Sequence, residues 1–366
     1  MSARIVLFCA TGYTGARTAE ALAERGARPV LAGRDPARLT ALAERLGGLE
    51  TARADVTDPR SVRDLLGRGD VLVTTVGPFL RLGQAAVDAA VDAGAIYLDS
   101  TGEPPFVRRI FEDDGRRAAE AGATLIPAFG LDYVPGNLAA ALALTEAGRR
   151  AHRLDVGYAL DGASGQAFSR GTMVSLVGVL FEPGFAFTGG RLTAEPAGRH
   201  VWNFEVDGRA CRGLSIGGSE HLTLPALAPT LHEVGVHLDW FGPLTGAAHL
   251  LSPVTGLAGR LPGAQRGAQR LADIVATRVG HAPSEATVAR ARTHTVAEVR
   301  DRTGNMVARV QLDGPEAYGL TASLLAWGAT RAAEHGVRGT GALGPVQAFG
   351  LAELTAGAAE AGLART

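Results

Sequence analysis

The first fifteen residues constrain the fold more than any other part of this chain. Arg4-Ile-Val-Leu-Phe-Cys9 is a β-rich apolar run, and it passes directly into Ala10-Thr-Gly-Tyr-Thr-Gly15 and then a helical pattern reaching Arg25. A strand that ends in a glycine turn and opens a helix suits dinucleotide binding. The glycines let the backbone approach a pyrophosphate closely, and the helix start offers free N–H groups and a positive dipole. Ala10, Thr11, Gly12, Tyr13, Thr14 and Gly15 are therefore candidate cofactor contacts. Cys9 stands where the first glycine of such a turn usually lies, and its small side chain is expected to cost little.

The next residues repeat the alternation. Strand patterns at 29–33, 51–55, 70–76, 95–99 and 123–129 are separated by helical ones, with Asp35 and Pro36 reading as an N-cap and first turn. Six strands alternating with helices predict an α/β fold with a Rossmann-type, doubly wound parallel sheet. After Gly130 the rhythm changes. An apolar helix at 135–144 is followed by strand patterns near 154–160, 200–206, 210–216, 232–240, 293–300 and 305–312. Successive strands predict an inserted mixed α/β domain for substrate or dimerisation. A final apolar helix at 319–334 predicts a return to the first domain. The expected division is residues 1–130 plus 318–366 for the dinucleotide domain and 131–317 for the insertion. Residues 243–263, rich in Gly and Pro, read as irregular.

Composition removes several function classes. The chain has 366 residues and a net charge of −1, so no basic field is available for nucleic acid. All 36 basic residues are arginine. Without lysine there can be no Schiff base, no P-loop lysine and no Tyr-xxx-Lys catalytic pair. Two cysteines, Cys9 and Cys211, argue against a disulfide framework or a thiolate metal site, and a reducing cytoplasm is the expected setting. The N-terminus lacks a signal-peptide pattern. The most apolar run, 171–181, is too short to cross a bilayer, so no integral membrane association is expected. No metal site is expected either: His232 and His237 are five apart, and on a strand they point to opposite faces.

The cofactor's identity follows from the second strand end, Leu31-Ala-Gly33-Arg34-Asp35. An NAD-specific site places a carboxylate there for the ribose 2′-hydroxyl. Gly33 followed by Arg34 instead offers a guanidinium for the 2′-phosphate of NADP(H), with Arg38 one helical turn further on. Asp55 and Val56 end the third strand, where Asp55 reads equally as an acceptor for the adenine amino group or as a loop carboxylate. Val76, Gly77, Pro78 and Phe79 end the fourth strand beside the expected ribose and nicotinamide, although Phe79 also suits a core position. Ser100 follows the fifth strand at the same edge.

A proton donor is harder to read. Asp132 and Tyr133 follow the sixth strand, and His221 lies in the second half; all three are candidate catalytic groups. Each has a structural alternative: an N-cap for Asp132, packing for Tyr133, and a satisfied or exposed imidazole for His221.

These segments resemble saccharopine dehydrogenase-like proteins. The resemblance rests on Ala10-Thr-Gly-Tyr-Thr-Gly15, Leu31-Ala-Gly-Arg34, Thr75-Val-Gly-Pro-Phe79, Asp99-Ser-Thr-Gly-Glu103 and Phe129-Gly-Leu-Asp-Tyr-Val-Pro-Gly136. It extends to Ser169-Arg-Gly-Thr172, Gly217-Gly-Ser-Glu220 and Gly344-Pro-Val-Gln-Ala-Phe349. It implies an NADP(H)-binding domain, an inserted mixed domain, a C-terminal return, and a homodimer. It also implies imine or enoyl reduction. The run 172–187 is largely apolar, with only Arg170 and Arg191 flanking it, which favours an apolar small-molecule substrate over one with several carboxylates. The expected function is an NADPH-dependent reductase acting on a C=C, C=N or C=O bond. The alternative is a non-catalytic NADP-binding sensor or assembly protein of the same fold.

Overall fold

The computed structural model describes residues 3–161, 184–240, 242, 245–258, 288 and 290–366. The chain divides into two compact units. The first comprises residues up to Gly102, Phe106–Val134 and Tyr318–Ala361; the second comprises Glu103–Pro105, Pro135–Ala317 and Gly362–Thr366.

The first unit is a Rossmann-like α/β layer structure. Its sheet contains β1 (Ile5–Phe8), β2 (Val30–Gly33), β3 (Thr51–Arg53), β4 (Val71–Thr74), β5 (Ile96–Asp99) and β6 (Thr124–Ile126), with Gly341–Ala342 as a seventh strand beyond β6. All pairings are parallel, and β1 pairs with both β2 and β4, so the strand order reverses on its two sides. The residues of β1, β2 and β4 are buried throughout, as expected of parallel strands covered on both faces. The crevice outside the carboxyl ends of β1 and β4 is where this topology places a ligand.

Helix α1 (Tyr13–Glu24) starts at Gly12, whose φ of −73° and ψ of 169° are extended and open to any residue. Gly15 is different. A Cβ there would overlap the Cys9 carbonyl oxygen and come within 2.9 Å of Thr75 Oγ1, so only glycine lets α1 lie this close to the end of β1. Helix α2 (Pro36–Arg45) has the N-cap that its sequence announces: Asp35 Oδ1 accepts from the Arg38 amide at 3.1 Å, with Pro36 in the first turn. The C-terminal return is built on aromatics. Phe129, just past β6, stacks on Trp327 with centroids 6.3 Å apart, and Phe349 packs against both at 5.4 and 5.0 Å.

The second unit is a mixed sheet. Its strands are β7 (Arg153–Asp161), β8 (Phe185–Thr188), β9 (Arg191–Ala194), β10 (Val201–Val206), β11 (Arg209–Ser215), β12 (Glu233–Asp239), β13 (Arg292–Arg300) and β14 (Met306–Gly314). The main order is β10-β11-β12-β7-β13-β14, closed by Ala364–Arg365; β8 pairs with β12 and with β9. Among the described strands of this sheet only β12 and β7 run parallel. Helices Val134–Ala147 and Glu220–Leu227 share a buried polar network. Asn137 Nδ2 donates to Ser219 Oγ at 2.8 Å, Thr223 Oγ1 donates to Asn137 Oδ1 at 2.6 Å, and Tyr158 Oη donates to Glu220 Oε1 at 2.5 Å. A Cβ on Gly136 would overlap both the Tyr158 hydroxyl and the Glu220 carboxylate, so the glycine admits this pair.

Two readings from sequence change. Residues 245–258 form a helix inside the stretch expected to be irregular. Local Gly and Pro content was outweighed by tertiary anchoring: His249 Nδ1 bonds the Gly198 carbonyl at 2.8 Å, and Ser252 Oγ donates to the Ala197 carbonyl at 2.7 Å. Strands β8 and β9, joined through Thr188–Arg191, were not anticipated. The apolar run 171–181 and Ser169–Thr172 lie outside the described residues. No helix among the described residues is long and apolar enough to cross a membrane.

Two predictions follow from backbone and burial. Cys9 has φ +62°, in the left-handed region that disfavours a Cβ, so its cost is larger than its small volume suggests. Cys9→Gly is expected to raise stability by about 1 kcal/mol, read from the urea midpoint; a fall would show that thiol packing outweighs the backbone term. In the second unit, burial pulls both His221 and His237 down to about 4. Unfolded histidines titrate near 6.5, so below that pH the unfolded chain gains protons that the folded one refuses. Stability should therefore be insensitive to these groups above pH 7. It should fall by about 1.4 kcal/mol per pH unit per histidine from 6.5 to 5. A urea midpoint unchanged over that window would contradict the burial.

Candidate functional site

The crevice at the end of β1 is built by the turn Cys9–Gly12. The Gly12 amide donates to the Cys9 carbonyl at 3.2 Å, and Thr75 Oγ1, from the end of β4, reaches the same carbonyl at 3.3 Å. Thr75 thereby links the two strands at the point of reversal, a role not read from the sequence. The first turn of α1 presents backbone N–H groups with no acceptor inside the helix. Ala10 is buried, while Thr11 and Tyr13 are partly exposed and Thr14 follows Tyr13 in the first turn. Tyr13 stands edge-on to Tyr318 with centroids 5.0 Å apart.

Two glycines at this edge have no structural need to be glycine. Around Gly77 a Cβ would meet nothing within 4 Å, and at Gly12 it would make only an ordinary 3.5 Å contact with the Cys9 carbonyl. Neither has a positive φ. The open space where their side chains would stand is what a dinucleotide backbone approach requires. Gly77-Pro78 is a cis peptide and leads into the short helix Phe79–Leu82.

Beyond β2, Gly33 is buried and Arg34 is exposed. Arg34 makes no hydrogen bond or ion pair among the described residues, and its charge acts on both Cys9 and Asp55. It is a cation standing between the glycine turn and the end of β3. Arg38 is committed differently: its Nη2 donates to the Thr11 carbonyl at 2.8 Å, so it braces the glycine turn. Asp55 makes the contacts of a loop carboxylate through one oxygen. Its Oδ1 accepts from the Thr57 amide and hydroxyl, both at 2.9 Å, and these bonds hold its carboxyl below the usual range. Val56 is partly exposed beside it, and Val76 is buried at the end of β4. Phe79 is a correction. It is buried in the first unit's core and packs on Phe106 at 5.5 Å, so its ring is not available to a cofactor.

The loops after β5 and β6 are fastened by one buried carboxylate. Asp99 Oδ2 accepts from Tyr97 Oη at 2.6 Å, and Oδ1 accepts from the amides of Thr101 at 2.9 Å and Ala128 at 2.8 Å. Sequence reading treated Asp99 only as a strand end; its clue was a carboxylate closing an otherwise apolar strand. Ser100 lies inside this fastening. The second loop then turns tightly, with the Tyr133 amide donating to the Ala128 carbonyl at 2.9 Å and the Leu131 amide to Thr321 Oγ1 at 3.1 Å.

That turn sets Asp132 against the first loop. A Cβ on Gly102 would lie 2.6 Å from Asp132 Oδ2, so glycine makes room for the carboxyl. Desolvation pushes Asp132 up to about 7, although the residue keeps some contact with solvent. Tyr133 is buried, and its hydroxyl donates to the Gly102 carbonyl at 3.5 Å. Asp132 and Tyr133 thus come together on one loop of the first unit.

His221 belongs to the second unit. Its Nδ1 accepts from the Gly218 amide at 3.1 Å, its ring packs on Phe185, and burial keeps it neutral at physiological pH. His232 and His237 also part company: His232 packs on His152 and His237 on Trp202. Ligand atoms of Asp207, His294 and Asp313 gather within 4.8 Å. Both His294 ring nitrogens are occupied there, by Asp313 at 2.7 Å and Asp161 at 3.2 Å.

Comparison with known proteins agrees with this geometry. Residues 5–126 match the family model for the saccharopine dehydrogenase NADP binding domain. A Mycobacterium tuberculosis protein named as a trans-acting enoyl reductase is 40% identical over 187 residues, covering 48% of this chain and 44% of its own. A trans-acting enoyl reductase of Mycobacterium ulcerans is 40% identical over 140 residues, covering 37% and 34%. The chain thus spans less than half the length of these relatives. Among solved structures, apo saccharopine dehydrogenase (L-Glu forming) from Saccharomyces cerevisiae aligns over 100% of this chain and 99% of its own. Its TM-score is 0.60 at 13% identity, a likeness of fold. Residues 5–126 are thus similar to the saccharopine dehydrogenase NADP binding domain, and the cofactor that this indicates is NADP(H).

Proposed function

We propose that this chain is an NADPH-dependent reductase that delivers hydride to a C=C, C=N or C=O bond of a largely apolar small metabolite. Enoyl reduction is the form favoured by the names of its relatives. The observation that carries the reading is the pairing, on one unit, of an NADP-binding crevice with a carboxyl that holds a proton near neutral pH.

Bound NADPH supplies the hydride. The chain's own groups do the rest. The amides at the start of α1 face the pyrophosphate, and Gly12 and Gly77 leave room for close backbone approach. Arg34 meets the 2′-phosphate, while Arg38 keeps the turn in shape through Thr11. Hydride addition to a double bond leaves one atom needing a proton. Asp132 Oδ–H gives it and is reprotonated from solvent. Asp99 positions this donor, because it fixes the backbone of both loops at Thr101 and Ala128. The apolar character of the substrate rests on the apolar run of the sequence at 172–181. A homodimer and a cytoplasmic setting complete the reading, and light scattering of the pure protein checks the former.

Two experiments test this proposal. In fluorescence titration, NADPH should bind more tightly than NADH, and Arg34→Ala should remove most of the difference. The expected loss is roughly 10- to 100-fold in NADPH affinity, the weight of a charge-assisted contact. Equal losses for both nucleotides would remove Arg34 from the 2′-phosphate site. With an enoyl thioester as substrate, Asp132→Asn should lower kcat by about 10²- to 10⁴-fold with NADPH affinity unchanged. The sign with pH is fixed by the raised carboxyl. The wild type loses its donor as pH rises through about 7, so kcat should fall above that value, and the residual rate of the variant should not follow it. A wild-type profile flat from pH 6 to 9 would exclude Asp132 as the donor.

A further inference from the structure

The second unit contains a cleft of about 250 Å³ bounded by β7, β8, β12 and the segment 215–221. This lies just below the roughly 300–1,000 Å³ of sites for drug-sized molecules, so it suits a smaller one. Phe185, Phe187, Ile216 and Val236 supply an apolar wall.

Its polar groups are unevenly matched. His237 lines the cleft and is buried, and its Nδ1 has no hydrogen-bond partner among the described residues. Burial keeps this ring neutral, and in its Nε2–H tautomer Nδ1 is a buried acceptor that a ligand N–H or O–H would satisfy.

The charges narrow the choice. Three carboxylates, Asp155, Glu195 and Glu233, line the cleft against one arginine, Arg153. Arg153 is fully used: Nε and Nη2 hold Asp155 at 2.7 and 3.0 Å, and Nη1 holds Glu233 at 2.9 Å. Among the described residues Glu195 has only the exposed His200 imidazole, at 3.2 Å. The lining therefore carries excess negative charge, with no cation left to receive a carboxylate or phosphate. An acceptor nitrogen, an under-compensated carboxylate and two phenylalanine rings together match an ammonium group on a small apolar body.

We propose that this cleft is a binding site for a small apolar amine, with His237 and Glu195 as its recognition groups. It lies wholly within the second unit and does not depend on the reductase reading.

The test uses three probes of one shape and different charge: benzylamine, benzyl alcohol and benzoate. Binding to the full chain is followed by ligand-observed NMR at pH 7.5. Benzylamine should bind at least about tenfold more tightly than benzoate, with benzyl alcohol between them. Glu195→Gln should weaken benzylamine by roughly tenfold and leave benzyl alcohol unchanged. Ala186→Trp, which fills the cleft from β8, should abolish binding of all three while NADPH binding persists as the check on folding. No binding by any probe would overturn the proposal. So would equal affinity for benzylamine and benzoate, or benzylamine binding that survives Ala186→Trp.

Discussion

The closeness of α1 to the end of β1 is the constraint on which the first unit depends. It exists because residue 15 has no side chain: any Cβ there would run into the Cys9 carbonyl and Thr75. The same carbonyl accepts from Gly12 and Thr75, so one peptide oxygen gathers the turn, the helix start and the end of β4. The left-handed conformation of Cys9 is part of the same geometry. Strain at one residue and the loss of one side chain are exchanged for an anion-binding helix start exposed at a strand edge.

Much of this was legible because it is local. The apolar runs of β1, β2 and β4, the Asp35-Pro36 helix start and the Gly12–Gly15 turn each express their structure within a few residues. The parallel order followed from alternation alone. What was missed depends on distant partners. The helix over 245–258 leans on Ala197 and Gly198, and no window of sequence reveals that. Phe79 sits next to a ligand-edge glycine but turns into the core toward Phe106.

The catalytic candidates show the same boundary from the other side. Asp132, Tyr133 and His221 were chosen by residue type and by position after a strand or glycine turn. Their chemical characters diverge only through burial. A desolvated carboxyl retains its proton to about 7, whereas a buried imidazole gives its proton up by about 4. Residue type alone would have ranked histidine first for neutral-pH proton transfer. Desolvation acts in opposite directions on an acid and a base, and here it reverses that ranking.

The sheet of the first unit is completed late. Thr124 Oγ1 donates to the Gly339 carbonyl across 215 positions of sequence, and Gly341 pairs beside Thr124 as the seventh strand. On a ribosome, β6 emerges with a bare edge and with no Trp327 or Phe349 to cover Phe129. All of the second unit except Gly362–Thr366 is made before those partners exist. Vectorial, domain-by-domain folding is thus closed to this chain: its N-terminal portion waits as an open-edged intermediate, a species prone to wrong pairing.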